Sequence, residues 1–82
     1  MVNIHYYAPI RDVMGKEEET VSAETVQDVL KHIHASYGKA ALKAAKASLI
    51  VVNDVSIGLY QGMKTKLKDN DTVGFLPLCG GG

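Results

Sequence analysis

The sequence predicts an α+β domain in which one main helix packs against a mixed β-sheet. The opening run "VNIHYYAP" (residues 2–9) is rich in β-branched and aromatic residues and alternates in polarity, as a strand does. The run "SAETVQDVLKHIHASYG" (residues 22–38) carries an apolar stripe at helical spacing. The run "SLIVVN" (residues 48–53) is short, apolar and β-branched, which indicates a further strand.

The composition is typical of a small globular protein. The chain has 82 residues, 46% of them hydrophobic, so we expect one domain. Nine basic and nine acidic residues cancel, and no basic stripe is interleaved with aromatic residues, so we expect no nucleic-acid partner. The apolar runs are too short to span a bilayer, so no membrane association is expected. The single Cys79 cannot form an internal disulfide, which fits a cytoplasmic location.

The first strand is predicted over residues 2–8, and Pro9 ends it. The stretch "PIRDVMG" (residues 9–15) places a proline at a first helical position, apolar residues at helical spacing and Gly15 as a stop. It therefore predicts one or two helical turns. The stretch "KEEETVS" (residues 16–22) predicts a second strand at or near a sheet edge, because its charged beginning suits an exposed position.

The main helix is the strongest local signal, and Gly38 is expected to end it. The next stretch, "KAALKAAKA" (residues 39–47), is alanine-rich, with Leu42 as its only large apolar anchor. It predicts either a short second helix or an extended linker. The apolar stripe of the main helix comprises Val26, Val29, Leu30, Ile33 and Tyr37.

The second half of the chain predicts strands again. Residues 48–53 are expected to form a central strand buried on both faces, since the run is continuously apolar. A turn at residues 53–54 and a short returning strand, "VSI", should follow. After a loop around Gly58 and Gly62, a tight turn at residues 70–71 should lead into a last strand from Thr72 to about Leu76. This order of elements resembles a β-grasp, the ubiquitin-like arrangement.

The chain as given ends on "LPLCGGG" (residues 76–82). Glycine contributes no side chain to a core and has the largest backbone entropy to lose, so three in a row are not expected to stabilise a fold. We therefore divide the chain into a β-grasp domain over residues 1–77 and a flexible C-terminal Gly-Gly tail over residues 78–82.

Several stretches carry a family resemblance that covers nearly the whole chain. "HYYAPIRDVMGKEEETV" resembles the opening of molybdopterin synthase small subunits, and "LIVVND", "TKLKDNDTVGFLP" and the glycine end are similar to that family's central strand, final turn and tail. The short helix around Arg11 and the aromatic-proline run favour this group over the thiamine sulfur carriers within the MoaD/ThiS ubiquitin-like sulfur carriers. Two departures stand out: Leu78 replaces a frequent second proline, and Cys79-Gly80 replace small apolar residues.

The resemblance implies a chemistry for the tail. In these carriers the C-terminal carboxylate is adenylated by an ATP-dependent partner related to ubiquitin-activating enzymes and then converted to a thiocarboxylate that donates its sulfur. It thus implies catalytic roles for Gly81 and Gly82, with Gly82 carrying the adenylate and the thiocarboxylate. Fully extended, residues 78–82 would reach about 17 Å, enough to enter a partner's active site.

The resemblance also implies partners and a docking surface. The expected partners are the molybdopterin synthase large subunit, the adenylyltransferase and a sulfur donor enzyme, with no permanently bound cofactor, because the activating partner uses the ATP. The chain would then be a cosubstrate rather than an enzyme by itself. The residues expected to bind partners are Tyr7, Arg11, Phe75, Leu76, Pro77, Leu78, Cys79 and Gly80.

Each assignment has an alternative. The acceptor could belong to thiamine, cysteine or tungsten-cofactor synthesis, Gly82 could be conjugated to lysines of other proteins, or the chain could be a non-catalytic interaction module with an inert tail. Cys79 is either a small apolar residue or a redox participant, and Arg11 is either a docking residue or simply solvated. Neither metal-ligand spacing nor an obvious catalytic base accompanies the histidines, which are expected to be structural or exposed. The lysines at 39, 43, 46, 64, 66 and 68 are expected to be solvated.

Overall fold

The computed structural model describes residues 1–78 and contains one five-stranded mixed sheet. Its strand order is β2-β1-β5-β3-β4, in which β1 and β5 run parallel and all other neighbours are antiparallel. Helices pack across one face of the sheet, so the predicted β-grasp is confirmed. The strands are β1 (Val2–Tyr6), β2 (Glu18–Val21), β3 (Leu49–Val52), β4 (Val55–Ser56) and β5 (Thr72–Leu76).

Three helices and two short 3₁₀ turns connect the strands. They are α1 (Ile10–Met14), α2 (Val26–Tyr37) and α3 (Lys39–Lys46), with 3₁₀ turns at Ile57–Leu59 and Gly62–Lys64. Residues 39–46 are therefore helical, which decides between the two readings of the alanine-rich stretch.

A capping box begins α2. The Asp28 N–H donates to Thr25 Oγ1 at 3.2 Å, and the Thr25 N–H donates to Asp28 Oδ2 at 3.2 Å, which satisfies two amides that the helix itself leaves without partners. The pKa of Asp28 lies below its usual range, first because the Glu24 N–H donates to its carboxylate and then because of Thr25, with the charge of Lys31 adding to the effect.

The helix α3 is anchored by two alanines in addition to the predicted leucine, which packs against the core. Ala41 and Ala45 are buried, whereas Leu42 is only half-buried. Small side chains at these two positions let α3 lie close against α2 and α1, both of which it contacts. The apolar period of α3 is thus carried by methyl groups, which a search for large apolar residues misses.

The core lies between the sheet and α2. In β1, Val2, Ile4 and Tyr6 point toward the helices and are buried, while Asn3 and His5 point the other way. The rings of Tyr6 and Phe75 stack at 5.8 Å between centroids. The apolar stripe predicted for α2 faces them, with Val26, Val29, Leu30 and Ile33 buried. Alternation along each strand therefore sorts the side chains into a closed face and an open face.

Residues 48–53 do contain an interior strand, but the prediction that this strand is buried on both faces is wrong. The strand β3 lies next to the edge strand β4 and alternates half-buried with buried residues, whereas β5 lies in the middle of the sheet. Three successive residues of β5, Val73–Phe75, are buried, because side chains cover Gly74 from the open face as well. The edge position predicted for residues 16–22 is confirmed for β2. The first strand ends at Tyr6, two residues before the predicted boundary.

Candidate functional site

The open face of the sheet is the surface that no helix covers. The parallel pairing of His5 with Gly74 and the antiparallel pairing of Val51 with Gly74 bring three strands together there. Its side chains come from alternate positions of all five strands. They are Asn3, His5, Glu18, Thr20, Leu49, Val51, Ser56, Thr72 and Leu76, with Gly74 among them and Tyr7 lying just beyond β1.

Three apolar side chains close over Gly74 on the open face, and we call them the Gly74 cluster. A Cβ atom placed on this glycine would lie 3.0 Å from Val51 Cγ2 and 3.4 Å from both Leu76 Cδ1 and Tyr7 Cε2. Three apolar groups from three segments of the chain therefore converge above a residue without a side chain. Because apolar surface gathered in one place favours contact with another protein, the Gly74 cluster is the centre of a candidate docking surface.

Tyr7 is held in the Gly74 cluster by both its ring and its backbone. Its ring stacks on His5 at 4.2 Å between centroids, and His5 Nδ1 lies 3.7 Å from Glu18 Oε2. Its N–H donates to the Phe75 carbonyl at 3.1 Å, and its own carbonyl accepts from the Arg11 N–H at 2.9 Å. The start of α1 is thereby tied to the end of β5. This link places Arg11, an exposed residue, near the point where the chain leaves the sheet.

Next to that point lies a groove of about 310 Å³, which we call the exit groove. Its walls are the start of α1, the end of α3 and the residues that follow β5. Leu78, whose exposed fraction is 62%, and Val13, at 51%, offer apolar surface here. The residues lining the exit groove are Pro9, Ile10, Val13, Ala44, Ala47, Ser48, Pro77 and Leu78.

The structure brings most of the predicted partner-binding residues together. Tyr7 and Leu76 belong to the Gly74 cluster, and Pro77 and Leu78 line the exit groove. Phe75 differs: its exposed fraction is 0%, so its side chain belongs to the core and is not part of the exposed surface. It lies one residue away because β5 alternates between faces. The other predicted site residues, 79–82, lie outside the described part of the chain.

A polar cluster beneath the site was missed by sequence reasoning. Glu19 Oε2 accepts from the hydroxyls of Tyr6 and Tyr37, each at 2.7 Å, and Glu19 Oε1 lies 3.2 Å from His32 Nε2. The cluster ties the edge strand β2 to β1 and α2. The signal was present in the sequence, since Glu19 shares the inward face of β2 with the buried Val21.

The cluster shifts the pKa values of its members in opposite directions. Burial alone would raise the pKa of Glu19, but the hydrogen bonds from Tyr37, Tyr6 and His32 outweigh burial and lower it. Burial, followed by the hydrogen bond to Glu19, raises the pKa of Tyr37 to about 12, and the same two causes raise the pKa of Tyr6. At neutral pH the cluster is therefore a carboxylate held by neutral phenols. It stabilises the fold that presents the open face.

Two other kinds of site are absent from the described residues. Within residues 1–78 there is no group of three or more histidine, cysteine or acidic side chains that could hold a metal ion. No helix in the same part of the chain is long and apolar enough to cross a membrane. The apolar surfaces beside the end of β5 suit protein contacts instead.

Comparison with known protein families shows which family the chain belongs to. The model of the ThiS family matches residues 4–82. The chain belongs to this family. The match includes both the open face and the terminal glycines, so the ThiS-family assignment covers the surface and the tail together. Among proteins of curated function, none matches the chain by sequence.

Solved structures extend the comparison. The small archaeal modifier protein 1 from Methanosarcina acetivorans is 31% identical, with a TM-score of 0.80 over 99% of this chain and 95% of that one. A chain of the complex of subunits 1 and 2 of the molybdopterin-converting factor from Helicobacter pylori is 26% identical, with a TM-score of 0.71 over 99% and 97%. A chain of the BexX/CysO complex from Amycolatopsis orientalis is 19% identical, with a TM-score of 0.83 over the full length of both, and supports the fold alone. The chain is thus a ubiquitin-like protein of the sulfur carrier and modifier family.

Proposed function

We propose that this chain is a sulfur carrier that donates sulfur from a thiocarboxylate at Gly82 in molybdopterin synthesis. The observation that carries the proposal is the position of β5: the central strand runs directly from the Gly74 cluster to the exit groove, and the glycines follow within a few residues. A partner that covers the open face would therefore receive the tail in its own active site.

The chemistry proposed for Gly82 has two steps. A carboxylate is a poor electrophile, so one of its oxygens first attacks the α-phosphate of ATP in the activating partner, and pyrophosphate leaves. A sulfide equivalent from the sulfur donor then attacks the carbonyl carbon of the acyl adenylate, and AMP leaves with the former carboxylate oxygen. The product is a thiocarboxylate, and no change of oxidation state occurs at the carbonyl carbon.

The glycines suit this chemistry because they lack a Cβ atom. A chain without side chains can thread a narrow channel and adopt backbone angles that other residues avoid. The docking residues Tyr7, Leu76 and Leu78 supply apolar contact, and Arg11 supplies a charge with no carboxylate within 4.0 Å among residues 1–78. We propose the molybdopterin synthase large subunit and an adenylyltransferase as the partners that use this surface. The complex of two molybdopterin-converting factor subunits that contains a 26% identical chain supports the first of these.

A second candidate function is protein modification. It is favoured by the 31% identity to the small archaeal modifier protein 1, which is higher than the identity to the molybdopterin-converting factor chain. The same adenylated Gly82 would then be attacked by a lysine amine of another protein, forming an isopeptide bond and releasing AMP. Both functions share the first step and differ in the nucleophile.

Intact-mass spectrometry tests both the adenylation that the two functions share and the nucleophile in which they differ. The full chain is incubated with the adenylyltransferase, ATP and a sulfide donor, and we expect one carboxylate oxygen at Gly82 to be replaced by sulfur. Formation of a lysine conjugate without any thiocarboxylate would favour the modifier function. A chain whose mass never changes with either type of acceptor would contradict both.

Two variants locate the reacting group. Gly81→Val should suppress the exchange, because a β-branched side chain restricts the backbone and widens the tail. Cys79→Ser should retain most of the sulfur transfer if the thiocarboxylate alone carries the sulfur. Gained sulfur that maps to residue 79 would overturn the assignment to Gly82 and support a redox role for Cys79.

A further inference from the structure

A second groove lies on the helical side of the molecule, away from the open face. It has a volume of about 280 Å³ and lies between α2, α3 and the 3₁₀ turn at Gly62–Lys64. Its floor is apolar and formed by Leu30, which is buried, and by Leu42 and Met63, which are half-buried against the core. Gln27 and His34 also line the groove, and we call it the basic groove because its other polar side chains are lysines.

The rim carries Lys31 from α2, Lys46 from α3 and Lys64 from the turn. All three are exposed, and no carboxylate within residues 1–78 lies within 4.0 Å of any of them. Lys31 does act on Asp28 electrostatically, as the lowered pKa of that carboxyl records. Within residues 1–78, the charges of Lys46 and Lys64 are therefore available to a partner.

Positive charge is unevenly distributed along the sequence, and an excess of it falls on the helices of this side. Between Asp28 and Asp54 the chain has four lysines and no acidic residue, although the formal net charge of the whole protein is zero. That interval includes most of α2 and all of α3. A local excess of positive charge attracts anionic partners and speeds their association. The expectation that Lys46 and Lys64 are simply solvated does not account for the apolar floor between them.

We propose that the basic groove is a docking site for an acidic amphipathic helix of a protein partner. A groove between two helices accepts a third helix whose apolar residues recur at i, i+3, i+4 and i+7. Its apolar residues would contact Leu42 and Met63, and its carboxylates would pair with Lys46 and Lys64. A polyanion without apolar groups would use the rim and leave the floor uncovered. The site goes beyond the proposed sulfur chemistry, and both faces can be occupied at once because they lie on opposite sides of the sheet.

The test uses the isotope-labelled full chain and a synthetic peptide with leucines at i, i+3, i+4 and i+7 and glutamates between them. We expect amide shifts around Leu30, Leu42 and Met63 and saturable binding. A peptide of the same composition in scrambled order should bind much more weakly, and so should single-stranded RNA. If either binds as tightly as the ordered peptide, or if the shifts fall on the open face, the proposal is wrong.

Matched variants distinguish a specific role of the rim lysines from a general effect of positive charge on peptide binding. Lys46→Gln with Lys64→Gln should weaken peptide binding about tenfold, since two exposed ion pairs are lost. Lys66→Gln with Lys68→Gln removes the same charge elsewhere and should change the affinity less than about twofold. Met63→Gln should weaken binding while both charges remain, and thermal unfolding checks that each variant is folded. Equal losses in the two lysine pairs, or no binding by the wild type, would overturn the proposal, whatever the outcome of the sulfur exchange at Gly82.

Discussion

Tyr6 and Tyr7 are adjacent in the sequence and lie on opposite faces of the same sheet. Tyr6 is fully buried, stacks on Phe75 and donates its hydroxyl to Glu19. Tyr7 has an exposed fraction of 38%, stacks on His5 and belongs to the Gly74 cluster. The closed face therefore supplies stability, and the open face carries the surface that we propose for recognition. The two functions are separated by a single residue step along each strand.

The end of β5 shows the same separation. Phe75 belongs to the closed face and Leu76 to the open face, although both were predicted to bind partners. A residue type does not reveal which face it occupies, but its register against neighbouring strands does. Variants on the two faces should therefore differ in kind, with large losses of stability on one and losses of partner binding on the other.

The largest effect is expected for Phe75→Ala. Removing a fully buried ring should cost about 3–5 kcal/mol of the free energy of unfolding, a large part of what a small domain has. Leu76→Ala, its neighbour on the open face, should cost about 1 kcal/mol or less. Urea unfolding of the two variants measures the difference. Equal losses would show that the open face is also part of the packed core.

The next largest effect is expected at the polar cluster. Glu19→Gln should lower the free energy of unfolding by about 1–3 kcal/mol at neutral pH, because a charged acceptor of two tyrosine hydroxyls is lost. The pKa of Glu19 is lowered in the folded state, so its contribution is present above the usual carboxyl pKa and is lost as pH falls through the folded value. Wild type and variant should therefore converge below about pH 4.

The two tyrosines of the polar cluster predict how the stability of the fold changes at alkaline pH. The pKa values of Tyr6 and Tyr37 are raised, so the folded state favours the neutral phenols, and their contribution is present below the unfolded pKa. Stability should fall as pH rises above about 10, the ordinary tyrosine value. A wild-type protein whose stability stays constant up to pH 12 would contradict this description of the cluster.

A smaller effect is expected for Gly74→Ala. The added methyl group would meet Val51 and Leu76 closely, while the lower backbone entropy of the unfolded alanine chain partly offsets that crowding, so we expect a net loss of about 1 kcal/mol. The methyl group would displace the side chains of the Gly74 cluster, and binding of the activating enzyme should weaken. Calorimetric titration measures the binding. Unchanged affinity would exclude the Gly74 cluster from the docking surface.

The smallest effect on stability is expected for deletion of Gly81 and Gly82. Neither residue has a side chain to bury, so the free energy of unfolding should change by less than about 0.5 kcal/mol. Sulfur transfer should be abolished, because the new C-terminal carboxylate at Gly80 would lie two residues short of the partner's active site. Thermal unfolding measures the stability, and the intact-mass assay measures the sulfur transfer. A large loss of stability would show that the tail packs on the domain.

Much of the fold could be predicted because its signals are local. The register of α2, the glycine stop after α1, the turn at Asn53-Asp54 and the last strand from Thr72 to Leu76 each depend on residues close together in the chain. The helix α3 was harder, because its buried alanines are good helix formers that give no large apolar stripe. The docking residues were predicted from the family resemblance and not from their chemistry, and the division between domain and tail stays a prediction.

The sequence by itself determined the type and order of most helices and strands but left α3 open, because propensity, periodicity and turn residues act over a few positions. Only the tertiary structure decided that β5 and not β3 is central, that Glu19 meets two tyrosines, and that Lys46 and Lys64 face one apolar floor. Each of these depends on segments far apart in the chain. Strand order and side-chain clustering follow from which apolar faces can be buried together, and no local pattern specifies that choice.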